Sequence, residues 1–508
     1  MLDFVDFIKN KIRNLILQGA RSRMSDKEFL EKEIVRWKGS PQRAMQIKGH
    51  LYYDNEHDIL TRKRTMIGEG GRLEEVNNLP NNRLIDNQYG KMVNQKANYL
   101  LGQPFVIEGK NTQYTELLQE VFNKRFMKTL KRWGKAALNG GIAWLYIYYT
   151  EAGELDFRLF PSYEVLPFWK DSEHTILDFA VRLYLVMGYE GTTPKIIEKV
   201  EVYDLQGVHR FILDGETLIP DVSTDNELYE SPYVTVTDSE GAVTGLNWQK
   251  IPLIPLKYNE GEIPLIKKVK TLQDGINIML SDFENNMQED ARNTILVIRN
   301  YDGENLGEFR KNLATFGAVK VRYDGETKGG VETLEITVNA ENYKTILEIF
   351  KKALIENAMG YDAKDDRLSG NPNQMNIQSM YSDIDLDAND METELQAAFE
   401  EILWFVNVHL ANTGRGSFEK EKVTVIFNRD MLISETEAVA NCSASVGILS
   451  DETIIGQHPW VDDPQQELER LKKQREKEKE EMIAQQYNPF PPQSNQIPKK
   501  EGEESEKD

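Results

Sequence analysis

Residues 361–380 read YDAKDDRLSGNPNQMNIQSM, with Asp362, Asp365 and Asp366 interleaved with Lys364 and Arg367. Closely spaced carboxylates can hold divalent metals for hydrolysis or pass protons as general acid and base. Asp383, a little downstream, could join them. Such chemistry needs a histidine or a supporting motif nearby. His50, His57, His174, His209, His409 and His458 all lie elsewhere in the sequence. A second acidic run, DIDLDANDMETE, sets Asp383, Asp385, Asp387 and Glu394 at positions one, three, five and twelve of a calcium loop. Position six of that loop must turn sharply and calls for glycine, but here it is Ala388. The run also falls inside a long helical pattern, which favours a solvated helix face.

Other reactive groupings are missing from the chain. A phosphate-cradling G-x-x-x-x-G-K-[ST] loop is absent. Gly90-Lys91, Gly109-Lys110 and Gly134-Lys135 all lack the upstream glycine or the following Ser or Thr. GEGG at 68–71 lacks the strand-before, helix-after setting of a dinucleotide site and reads as a turn. No G-x-S-x-G elbow, H-E-x-x-H or C-x-x-C occurs. Cys442 stands alone, which rules out an intrachain disulfide and suits a reducing compartment. The expectation is a chain without catalytic residues, metal or cofactor.

With 508 residues the chain can hold two to four domains. Its net charge of −22 argues against tight general binding of nucleic acid, which needs clustered Lys and Arg to neutralise phosphates. It leaves room for a protein that lets DNA pass without gripping it. The longest apolar run, GIAWLYIYY from Gly141, is far short of the ~20 residues that span a bilayer, so no membrane association is expected. MLDFVDFIKNKIRNLILQ lacks the features of a signal peptide. It spaces Val5, Ile8, Ile12, Leu15 and Ile16 as an amphipathic helix, expected to dock on its own protein or a neighbouring subunit.

The elements around the charged stretch follow from periodicity. Residues 26 to about 100 read as mainly helical, broken at IGEGGRLEEVNNLPNN. RLIDNQYGKMVNQKANYLLGQP places Tyr89, Met92, Val93, Lys96, Tyr99 and Leu100 along one stripe, closed by Gly102 and Pro104. Short aromatic and β-branched runs over 141–260 predict a mostly antiparallel sheet. Ile266, Val269, Leu272, Ile276, Met279, Phe283 and Met287 predict a helix. A small α/β insert follows over 291–340, with strands at TILVIR, GAVKVRY and VETLEITV and a short helix between. A second helix carries Ile346, Leu347, Ile349, Phe350, Ala353 and Leu354 and ends near Gly360. Beyond the charged stretch, Ile377 through Leu410 keep helical spacing over roughly 50 Å. EKVTVIFNRDMLIS is a strand, 434–482 is helical with mixed charges, and the sequence from about Gln485 has too little to bury and is expected to be disordered.

Five stretches in this order resemble the portal proteins of tailed bacteriophages, in the siphovirus type of Gram-positive hosts. NNRLIDNQYGKMVNQKANYLLGQP resembles the family's early helix with its Gly-x-Pro step. IPLIPLKYNEGE resembles its Pro-rich lead-in to the first stem helix. DDRLSGNPNQMNIQSMYSDIDLD resembles its polar loop running into a long helix. FNRDMLIS and ILSDETIIGQHPWVDDPQQELERL resemble its late strand and C-terminal helical region. The resemblance spans roughly 40–480.

It implies an α+β portal fold: an N-terminal arm over 1–25, a mixed α/β wing over 26–262, stem helices over 263–290 and 341–361, and a clip over 291–340. A tunnel loop over 362–376, a long kinked wing helix and strand over 377–430, a helical crown over 431–482 and a tail over 483–508 complete it. It also implies a dodecameric ring at one capsid vertex, through which double-stranded DNA is packaged and ejected. The ring would dock the terminase large subunit, then head–tail connector or adaptor proteins, among major capsid and scaffolding proteins. The chain would belong to the virion, after assembly in the host cytoplasm. On that reading Asp362, Lys364, Asp365, Asp366, Arg367, Asn371, Asn373 and Gln374 face the DNA channel, and Arg299, Tyr301 and Arg322 of the clip face partners. Residues alone leave two alternatives open: a metal-dependent nuclease or hydrolase using the Asp362–Asp387 carboxylates, and a coiled-coil adaptor or scaffold that never contacts DNA.

Overall fold

The computed structural model describes residues 26–67, 71–77, 79–221, 229–237, 241–290, 295–299, 340–364, 374–429, 434–461 and 464–486, with scattered positions over 305–334. The expected N-terminal arm and the tail beyond Gln486 lie outside the described residues, as does most of GAVKVRY. The chain divides into two compact units. One comprises Met1–Ala363 with Tyr381–Met431, and the other Lys364–Met380 with Leu432–Asp508.

In the first unit, helices α1 (Asp26–Lys38) and α2 (Pro41–Tyr53) meet at Ser40. Its hydroxyl accepts from Arg43 N (3.2 Å), and Pro41 takes a first-turn position that needs no amide donor. On either side of the glycine-rich break, β1 (Thr65–Ile67) pairs antiparallel with β2 (Leu73–Glu75). Helix α3 (Gln88–Leu101) stops just before Gly102, as its sequence predicts, and β3 (Val106–Gly109), α4 (Thr112–Val121) and α5 (Lys124–Gly140) follow. Gly141 turns α5 into the next strand with φ 78°. A Cβ there would lie 2.1 Å from Glu262 O, so only glycine fits.

The run after Gly141 is strand β4 (Ile142–Tyr149), its first four residues buried, which explains its unbroken apolar character. β5 (Leu155–Phe160) pairs with it. Strands β6 (Val165–Trp169), β7 (Leu177–Glu190), β8 (Thr193–Asp204), β9 (Gly207–Asp214) and β10 (Thr217–Pro220) form a separate meander, with β11 (Glu230–Ser231) on β9. β12 (Val234–Thr237) and β13 (Val243–Leu246) form a hairpin. β14 (Leu253–Lys257) returns to β4, setting Ile254 opposite Leu145. Every one of these ladders is antiparallel, as the composition predicts. The region is nevertheless several sheets, because β14 closes on β4 across a long sequence gap.

Helix α6 (Leu265–Asp290), β15 (Ile295–Arg299), β16 (Gly330–Leu334) and α7 (Ala340–Asn357) come next. α6 and α7 pack so closely that a Cβ on Gly275 would sit 2.9 Å from the Phe350 ring. Between them, β15 and β16 pair antiparallel, with Arg299 opposite Gly330. Helix α8 (Gln374–Asn412) is 39 residues long, in line with its long periodic pattern, and β17 (Val423–Ile426) pairs with β3. α8 starts at Gln374, so the expected loop over 362–376 gives its last three residues to the helix. Phe399 and Phe405 of α8 join Trp133, Tyr89 and Tyr258 in the main core.

A polar ladder ties the chain before α3 to α6. Gln273, Asn277, Ser281 and Asn285 recur every fourth residue on α6 and are all buried. Asn285 Oδ1 accepts from Asn82 N (2.8 Å), Ser281 Oγ from Leu84 N (2.9 Å) and Asn277 Oδ1 from Asp86 N (3.1 Å). Gln273 accepts from Tyr89 N (2.8 Å) and donates to Asp86 O (2.8 Å). Two residues of extended chain advance about 6.6 Å and four of helix about 6.0 Å, so the rungs at Asn82, Leu84 and Asp86 stay in step, and Gln273 then meets Tyr89 in the first turn of α3.

The second unit carries α9 (Glu435–Ala444), α10 (Asp451–Gly456) and α11 (Pro464–Gln486). The Ser450 hydroxyl caps α10 by accepting from Thr453 N (3.3 Å), and Arg475 of α11 pairs with Asp451 (2.8 Å). Cys442 is buried, with its thiol 3.7 Å from Ile454 O.

Candidate functional site

The structure is most specific where α7 ends and the charged stretch begins. Two bonds close α7, Gly360 N to Ile355 O (2.9 Å) and Met359 N to Glu356 O (3.0 Å), a Schellman pattern. The left-handed residue is Met359 (φ 52°), where a glycine is usual. Glycine is needed one residue later instead: a Cβ on Gly360 would lie 2.6 Å from Met92 Sδ and 2.8 Å from Gln95 Oε1.

Helix α3 grips the chain as it leaves. Gln95 donates from Nε2 to Tyr361 O (2.8 Å) and accepts from Tyr361 N at Oε1 (3.0 Å), pairing both backbone groups as a strand would. The next residue, Lys96, donates from Nζ to Met359 O (3.1 Å) and to Asp387 Oδ2 of α8 (2.6 Å). Tyr258 OH donates to the same carboxylate, at 2.8 Å to Oδ1. Lys96 and Asp387 are both buried. Burial lowers the Lys96 ammonium from its usual value while Asp387 opposes the drop. Burial, with the Asp387 charge adding to it, pushes the Tyr258 phenol well above its usual value. The Tyr361 ring lies against Tyr381 (4.5 Å), which stacks on Tyr99 (5.7 Å). Tyr99 OH donates to Asp385 Oδ1 (2.9 Å), and Arg429 joins Asp385, Asn389 and Glu392.

Of the channel residues expected from sequence, Asp362 is half-buried and Lys364 exposed. Asp365, Asp366, Arg367, Asn371 and Asn373 lie outside the described residues. Gln374 is the first residue of α8: its amide N–H donates to Glu437 (3.0 Å) and its side-chain oxygen accepts from Ser434 N (3.1 Å). Of the residues expected to face partners, Arg299 ends β15, Arg322 is exposed, and Tyr301 lies outside the described residues. Asp383, Asp385 and Asp387 sit on a continuous helix, as their periodicity predicts, and Asp385 and Asp387 are taken up in the contacts above. Sequence reasoning missed Gln95, Tyr258 and the role of Lys96. The signal was there: a lysine set in an otherwise apolar stripe needs a buried anion.

Residues 42–481 match the family described as Phage portal protein, SPP1 Gp6-like. The chain belongs to that family. It is 29% identical over 432 residues to the portal protein of Bacillus phage SPP1, which covers 84% of this chain and 83% of that protein. It is 25% identical over 463 residues to the portal protein of Clostridium phage phiCD119, over 88% of this chain and 96% of that one. A solved chain from the virion of a native gene transfer agent particle aligns with a TM-score of 0.38 at 11% identity, over 72% of this chain and 88% of that chain, too distant to bear on the fold. Membership in the portal family makes the chain a virion component of the ring-forming type found at one capsid vertex. The α+β class expected of a portal protein is the class observed. Among the described residues no helix is long and apolar enough to cross a membrane.

Proposed function

We propose that twelve copies of this chain form the portal ring through which double-stranded DNA enters the capsid during packaging and leaves at ejection. The family match over residues 42–481 carries this reading. In it, the first unit supplies wing and stem, the β15–β16 insert is the clip, and α9 to α11 form the crown. The clip meets the terminase large subunit and later the head–tail connector, with capsid and scaffolding proteins around the ring and assembly in the host cytoplasm. The chain works without catalysis of its own, as a conduit.

The loop after Tyr361 lines the channel. The clamp at Gln95 and Lys96 supports this, because it fixes the point from which the loop departs. Lys364 and Arg367, set among Asp362, Asp365 and Asp366, touch a phosphate backbone without holding it, and a ring multiplies each such contact by its symmetry. Electron micrographs of the purified protein should show rings with an axial hole; rods or compact dimers would sink the proposal. Deleting 364–374 should leave rings intact and block packaging. A deletion mutant that packages normally refutes the channel role of the loop.

A further inference from the structure

α5 and the part of α8 from Tyr381 onward, both in the first unit, carry opposite charge on opposite outer faces. α5 has six Lys or Arg and no acidic residue (KRFMKTLKRWGKAALNG), in a chain of net charge −22. α8 has eight Asp or Glu and no Lys or Arg. Their inner faces meet in the core: the Phe126 and Phe399 rings lie 6.0 Å apart, and a Cβ on Gly134 would be 3.4 Å from Met391 Cε. At 100° per residue, Lys124, Lys128 and Lys131 point away from the buried side of α5 (Phe126, Leu130, Trp133), and Arg132 flanks them. Lys124, Lys128 and Arg132 are exposed, and none of the four has an ion pair among the described residues. On α8 the side away from Met391, Leu395 and Ile402 shows Asp383, Leu386, Asp390, Thr393 and Ala397, all exposed. Asp383 and Asp390 make no ion pair among the described residues. Because the inner faces of α5 and α8 pack together, the basic stripe and the acidic stripe face opposite ways.

We infer that the basic face of α5 in one copy docks on the acidic face of α8 in the next copy around the ring. The inference rests on the ring reading above and names the surfaces that join it. Lys124 and Lys131 are seven residues apart, as are Asp383 and Asp390, so both pairs repeat at about 10.5 Å along their helices. Thr393 and Ala397 are small enough to let a second helix approach, and Leu386, 59% exposed, gives the contact an apolar centre. A surface that is basic on one side and acidic on the other joins head to tail, the kind of contact that closes rings. It also offsets the repulsion among subunits that are each strongly acidic.

The test compares the full-length chain with K124E/K131E, D383K/D390K and all four substitutions together, by light scattering after size exclusion and by electron microscopy at one protein concentration. Wild type should form rings, each double variant should lose them, and the combined variant should regain them. That recovery would show the doubles fold, since a misfolded chain is not rescued by two further changes. Rings in both double variants overturn this interface and leave the ring reading standing. Wild type without rings overturns the ring reading itself. If K124E/K131E forms rings but retains a 30-base-pair duplex less well than wild type, the α5 face serves DNA, and the inference is wrong.

Discussion

Replacing Lys96 with methionine tests the anchor beneath the loop. Met keeps the length and apolar stem of the side chain but removes the charge. The Lys96–Asp387 pair has N–O 2.6 Å, with side chains 3% and 10% exposed, so water cannot take the place of the missing ammonium. Asp387 would keep its bond from Tyr258 (2.8 Å) but remain a buried charge without a counter-ion. Breaking one side of such a pair costs about 3–5 kcal/mol. The lost bond to Met359 O leaves a backbone acceptor short and adds about 1 kcal/mol. K96M/D387L removes both charges and should recover much of the loss, since apolar replacement of a buried pair is often close to neutral. Unfolding by urea, followed by the buried tryptophans Trp133 and Trp144 at fixed protein concentration, reads all three chains. A K96M cost below about 1 kcal/mol, or a double variant worse than K96M, would refute the reasoning.

Gln95→Ala should speed hydrogen exchange of the Tyr361 amide, which donates to Gln95 Oε1 (3.0 Å), while amides in the middle of α7 keep their rates; mass spectrometry of peptides covering 358–364 checks this. Asn277→Leu strands the Asp86 N–H and the His57 ring and should cost about 1–3 kcal/mol by the same urea assay. His50 sits beside Tyr163 with a buried Nε2 that has no hydrogen-bond partner among the described residues, and burial lowers its pKa to about 4. The unfolded chain, with an ordinary histidine near 6.5, therefore binds more protons between pH 6.5 and 4, so stability falls as pH drops through that window. His50→Phe should flatten the fall by up to about 3 kcal/mol, measured as the urea midpoint at pH 7 and pH 4.5.

Most helices and the antiparallel strands were legible because their patterns are long and regular: α8 declares itself from Ile377 to Leu410, and the end of α3 at Gly102 and Pro104. Partition into sheets was not legible, since β4 meets β14 across more than a hundred residues and nothing local encodes that pairing. The loop's departure point was half legible. Gly360 could be read as a stop, but Met359 in the left-handed position breaks the usual rule and is held there by Lys96 from a distant helix. The Gln95 clamp left no trace, because a glutamine that pairs with backbone looks like any other surface glutamine. The charges on α5 and α8 stand plainly in the sequence; that they face opposite ways follows from the Phe126–Phe399 and Gly134–Met391 contacts.

The ladder on α6 has a mechanical consequence. Its amides from Asn82, Leu84, Asp86 and Tyr89 lie side by side along the helix axis, so a pull along that axis loads every rung at once, in shear. The same bonds arranged as a zipper would take the strain one at a time and part in turn. A thrust along α6 thus reaches the chain before α3 undivided, as a cleat carries the load of a rope, and the helix and its strap move as one body or not at all. Because Leu84 and Asp86 grip through backbone amides, they can change to any residue but proline without losing their rungs, whereas Asn82, whose side chain also donates to Asn285 (3.0 Å), and the four polar positions on α6 cannot.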